Sequence, residues 1–292
     1  MYVGLGCAMG AMKRSTDLES AWATAAADAE IGSIDVLLCP RVARDDANPA
    51  MHYPPGLWPH SWDDTFVYKA GDSKLLHDAR DRHVVLVDDR LPRRILVLLL
   101  RHEAEHVAQF EASAEAAEFA LRLSNGLPPE SGWRWFHGAM PHERDADAAA
   151  ARLARDLELE PTDDELLGKH RSLFIVPWPS PDPLNLPLRL LAFSLFFPQD
   201  FERGCARNHP CPAVDPDVVA NAMIPGAAGA RRALRGKFDD LIDQAIDHGY
   251  SEQEWRSMPM RKRLEITDEI RLRVVEAEGA IIAELREILP AP

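Results

Sequence analysis

The chain carries the run Arg101-His102-Glu103-Ala104-Glu105-His106, a His-Glu-x-x-His pattern. Two histidines four apart on a helix stand one turn above each other, roughly 5–6 Å between Cβ atoms, and face the same way. Their imidazole nitrogens can then share a single Zn2+ at about 2.0–2.1 Å each. Glu103 follows the first histidine and lies beside that metal, placed to take a proton from water that the metal activates. The chemistry this allows is metal-assisted hydrolysis. Catalytic zinc usually takes three protein ligands and leaves one position open. Donors for the third place occur downstream in Glu143-Arg144-Asp145-Ala146-Asp147, which opens a helix after Pro141. Negative charge suits the first turn of a helix. The small side chains of Ala146, Ala149 and Ala150 allow this helix to approach the first closely. On this pattern either Glu143 or Asp147 can reach the metal.

These residues need elements to hold them. Pro92 suits the first turn of a helix. From there Ile95, Leu98, Leu99, His102 and His106 fall on one stripe at spacings of three and four. The helix either breaks near Ala112 or continues to Leu123. Upstream, Thr16 and Asp17 cap a helix to about Glu30, and strands are expected over 34–39, 65–69 and 83–87. Residues 41–63, rich in Pro, Asp, Asn and Trp, read as a long loop, and 127–140 as another. Thr162 with Glu165 and Ser251 with Glu254 have the form of capping boxes. Residues 173–176 are a further strand candidate, and the proline-rich stretch 178–187 is a linker candidate. Helices are expected over 188–197, 214–248, 251–264 and 267–289. The last carries the stripe Ile270, Val274, Ala277, Ile281, Leu285 and Ile288, which has to be buried.

At 292 residues, with 47 acidic side chains against 33 basic ones and a net charge of −14, the surface as a whole repels nucleic acid and anionic lipid. A local basic patch is conceivable around Arg231, Arg232, Arg235 and Lys237. The first residues have no secretory pattern, and no apolar run nears the ~18–20 residues of a membrane span, so a cytoplasmic protein is expected. Four cysteines do not make a disulfide framework in a chain of this length. Cys205, His209 and Cys211 could form a second metal site or a disulfide, but isolated thiols are the expectation. Trp133, Trp135 and Phe136 are read as covering a core edge rather than lining a cleft.

His102 to Gln109 followed by Glu143 to Asp147 resembles the gluzincin-type zinc metallopeptidases, above all their minimal forms. There a glutamate in a Glu-x-x-Ala pattern on the next helix completes the zinc site. The resemblance spans His83 to Ala150. It implies His102, His106 and Glu143 as zinc ligands, Glu103 as general base, and Asp147 as a group that orients a ligand histidine. Glu105 departs from the pattern, which usually has an apolar or small residue there; on the helical wheel it falls on the flank opposite Glu103 and is expected either simply to face solvent or to tune the charge of the site. The glycine and third histidine of metzincins are absent, and Cys39 in Leu-Leu-Cys-Pro-Arg does not match the cysteine ligand of peptide deformylase. A donor for the oxyanion would come from His142, His137, Tyr68 or Tyr250.

The expected fold is α+β, with a zincin-like small β-sheet packed on the active-site helix. A metallopeptidase domain over 1–165 precedes a mostly helical C-terminal region over 166–292. The implied function is zinc-dependent hydrolysis of a peptide or protein substrate, and the C-terminal helices offer a surface for a protein partner. The alternative is a partner-binding or regulatory protein on the same scaffold.

Overall fold

A computed structural model describes residues 16–43, 50–56, 66–67, 81–88, 90–126, 139–159, 185–207, 212–247 and 249–289. The fold is α+β, mainly helical with a small sheet. Among the described residues the chain forms two compact units that interleave along the sequence. One comprises Met1–Ala112, Ala146–Val176 and His209–Cys211; the other comprises Ser113–Asp145, Pro177–Asn208 and Pro212–Pro292. The expected division at residue 165 lies outside the described residues. No helix among them is long and apolar enough to cross a membrane.

The first unit opens with α1 (Thr16–Asp28), followed by β1 (Val36–Pro40), β2 (Val42–Ala43), β3 (Ala50–Tyr53), β4 (Phe66–Val67), β5 (His83–Val87) and α2 (Arg93–Ala112). β5 lies at the centre of a three-stranded sheet, parallel to β1 and antiparallel to β3. That place explains its unbroken run His-Val-Val-Leu-Val, every residue of which is buried. β2 and β4 pair separately. The strands expected over 34–39, 65–69 and 83–87 thus form, at 36–40, 66–67 and 83–87. The stretch expected as a loop over 41–63 instead contains β2 and β3. Four residues, Ala50 to Tyr53, are too few to show a strand period, and pairing with β5 makes them one.

In the first half of α2 every residue from Ile95 to Arg101 is buried. Leu96, Val97, Leu99 and Leu100 pack with Leu18, Trp22 and Ala25 of α1 and with Val85 and Val87 of β5. Burying a Leu or Val side chain stabilises by about 1.5–3 kcal/mol, so this half anchors the helix. The second half opens, and His102 and His106 are half-buried. Arg101 fastens the junction: it is buried and pairs with Asp28 of α1 and, at 2.9 Å, with Glu105. The extra acidic group in the motif therefore does not simply face solvent but is neutralised by an arginine four residues back.

The second unit is helical. It contains α3 (Ala114–Gly126), the start of α4 (Pro141–Asp156), α5 (Leu186–Phe193), α6 (Pro198–Ala206), α7 (Pro216–Met223), α8 (Ala227–Leu234), α9 (Asp239–Ile246), α10 (Glu252–Ser257) and α11 (Met260–Ile288). The break near Ala112 occurs because Ser113 caps α3, its Oγ accepting from the Ala116 N–H at 3.1 Å. The single helix expected over 214–248 is three, divided at Pro225-Gly226 and Gly236, both glycines having positive φ. α3 and α6 cross where Gly126 and Gly204 meet; a Cβ on either would fall within 1.7–1.8 Å of the other helix's backbone. The Ser251–Glu254 capping box is present. On α11, Ile270, Val274, Ala277, Ile281 and Leu285 are buried within the chain, while Ile288 is exposed.

Candidate metal centre

His102 and His106 stand one turn apart on α2, and their Nε2 atoms face each other at 3.1 Å. Each ring is held from behind. The Nδ1 of His102 is 2.9 Å from Asp147 Oδ1, and the Nδ1 of His106 is 2.9 Å from Gln109 Oε1. A carboxylate and an amide oxygen only accept, so both Nδ1 atoms carry the hydrogen. Both Nε2 atoms then present lone pairs toward the same point. Two nitrogen lone pairs aimed at one point are the arrangement a metal ion takes, and the pair fits one.

Asp147 lies on α4, which runs unbroken from Pro141 to Asp156. Glu143 is four residues earlier on that helix, one turn along the same face. Ligand atoms of His102, His106 and Glu143 lie within 4.8 Å of one another. These three side chains can hold a metal ion. The pattern had left Glu143 and Asp147 as alternatives; the helix uses both, the first among the three donors and the second as acceptor for His102. Ala146 and Ala149 beside them are fully buried. Glu103 is also buried, at 3% exposure, as a carboxylate sheltered from bulk water must be. His142 places Nε2 3.3 Å from Glu143 Oε1, so this candidate oxyanion donor lies against the carboxylate of the donor group. Tyr250 stacks under the Lys262 ammonium, 5.8 Å from its ring centre.

A second imidazole network in the first unit was not evident from the sequence. His52 Nε2 on β3 is 2.8 Å from His83 Nδ1 on β5, and His83 Nε2 is 2.9 Å from Glu111 Oε1 on α2. His52 also lies parallel to the His106 ring, centroids 6.4 Å apart. Burial, then the neighbouring His106 and His83, hold the His52 pKa well below its usual value. Burial lowers His83 too, against the raising effect of Glu111. The only sequence signal would have been Glu111 one helical turn and a residue beyond His106, which is too common to read. Gln109, three residues after His106, had the right spacing to contact it.

The other constellations resolve differently. Cys205 is a buried thiol with no disulfide, and desolvation pushes its pKa up to about 11. Arg232, Arg235 and Lys237 pair with Asp217, Glu202 and Glu284, while Arg231 is buried over the Phe201 ring. The supposed basic patch is thus largely neutralised. Tyr68, Trp133, Trp135, Phe136, His137, Thr162 with Glu165, 173–176, His209 and Cys211 lie outside the described residues.

No protein-family model, curated protein or solved structure matches this chain.

Proposed function

We propose that this protein is a zinc-dependent metallopeptidase of gluzincin type, its first unit a zincin-like scaffold. The observation that supports this most is the facing Nε2 pair of His102 and His106 with Glu143 alongside. His102, His106 and Glu143 hold the ion, and Asp147 fixes the tautomer and ring orientation of His102. A bound zinc ion supplies Lewis acidity, polarising a carbonyl and acidifying water. Glu103, next to His102 on α2, takes the proton from the attacking water and passes it to the leaving amine. Its burial keeps the carboxylate out of bulk water beside His102. The substrate is a peptide or protein.

The test compares wild type with Glu103→Gln for zinc content and for cleavage of a peptide library. Zinc near one per chain in both, with cleavage lost by about 10²–10⁴-fold in the variant, is the expected result. Full activity in the variant removes this mechanism. Zinc without any cleavage in wild type would favour a partner-binding protein that keeps the metal site without turnover.

A further inference from the structure

The second unit contains a cluster of four charged side chains, three of them buried and the fourth, Asp145, half-buried. Arg144 and Arg189 are fully buried, as is Glu278 of α11. Glu278 Oε2 accepts from Arg144 Nη2, and its Oε1 lies 3.4 Å from Arg189 Nε. Arg189 Nη1 reaches both carboxylate oxygens of Asp145, at 2.8 and 2.9 Å. Arg189 Nη2 is 3.4 Å from the Pro141 carbonyl. Two cations and two anions balance. Such a cluster is a poor source of stability, since well-packed apolar residues of the same volume are often as stable or more so. What it does supply is a fixed geometry. Pro141 and Asp145 are the two ends of the first turn of α4, and Arg189 holds both. Glu143 is the middle of that turn, and Arg144 beside it is held by α11. First turns otherwise fray, because their N–H groups have no partners within the helix.

We propose that Glu278 and Arg189 are positioning residues for metal binding, acting by holding the first turn of α4 so that Glu143 is presented as a ligand. This gives the long last helix a task at the metal centre, and it rests on the reading of His102, His106 and Glu143 as ligands. The full-length apoprotein is titrated with Zn2+ against a chromophoric chelator, and with Co2+ for its visible absorption. Glu278→Gln should weaken metal binding roughly 10–100-fold. Its Co2+ spectrum should match that of Glu143→Ala, because both lose the carboxylate ligand. Added to Glu143→Ala, the same substitution should cause no further loss. A purely structural role predicts equal weakening in both backgrounds and an unaltered spectrum, and either result overturns the proposal. Should Glu278→Gln fail to fold, Arg189→Lys keeps the charge but loses the fork that joins Pro141 to Asp145, and the same comparison applies. Wild-type binding that depends on His106 but not on Glu278 or Arg189 overturns this inference alone. No binding in wild type overturns the metal reading with it.

Discussion

The first unit contains two histidine pairs at nearly the same separation, 3.1 Å between Nε2 atoms for His102 and His106, and 2.8 Å for His52 and His83. What differs is the partner on the outer nitrogens. Behind His83 a carboxylate takes one N–H, which leaves Nδ1 to accept from His52 Nε2, so that chain runs in one direction. Behind His102 and His106 there is an acceptor on each side, and the two inner nitrogens are left with lone pairs that face each other. One pair is a directional relay; the other converges on two facing nitrogens that suit a cation. Ligand character is thus assigned by the groups one bond further out, not by the presence of two histidines.

Breaking each pair separately should give the largest contrast. His106→Ala should reduce zinc from near one per chain to background, while His83→Ala should keep it; metal analysis of the two purified proteins checks this. Equal loss in both would erase the distinction. The contrast sharpens in Asp147→Asn. An asparagine can donate to His102 Nδ1, which moves the ring hydrogen to Nε2 and turns the facing lone pairs into an ordinary hydrogen bond like that of the second pair. Metal affinity should fall roughly 10–100-fold, as read by chelator competition, with the fold intact.

The second pair should show itself in pH dependence. His52 and His83 are held neutral below their usual pKa. The unfolded chain binds their protons first, so stability is full above about pH 6.5 and is lost as pH falls below it, by up to about 1.4 kcal/mol per pH unit for each proton. Chemical denaturation of the metal-free protein between pH 7.5 and 5.5 should show that slope, and His52→Gln should reduce it. The smallest effect is expected at Glu105→Gln. That pair spans one helical turn and is partly exposed, so it should change stability by less than about 1 kcal/mol and leave metal affinity unchanged.

Much of the first unit was legible because its signals are local. The stripe on α2, the apolar run of β5 and the spacing of His102 to His106 each depend on residues within a turn or two. Ser251 with Glu254 forms its capping box for the same reason. β3 was not legible, because four residues show no period and their strand character comes from β5. Nor was the helix break at Pro225-Gly226, where the apolar pattern runs on past residues that end the helix.

The sequence alone determined that two imidazoles would stand on one face of one helix with Glu103 next to the first of them, since helical pitch places residues four apart together whatever surrounds them. It also determined that a surface with a net charge of −14 would be acidic overall. The tertiary structure decided which of Glu143 and Asp147 joins the histidines and which one supports them. It decided that Gln109 backs His106, that Arg101 neutralises Glu105, and that Glu278, more than a hundred residues away, closes on Arg144. The reason is that these are meetings of directional groups from separate elements. A hydrogen bond or ion pair requires an approach near 3 Å with the right orientation, and no spacing along the chain specifies that.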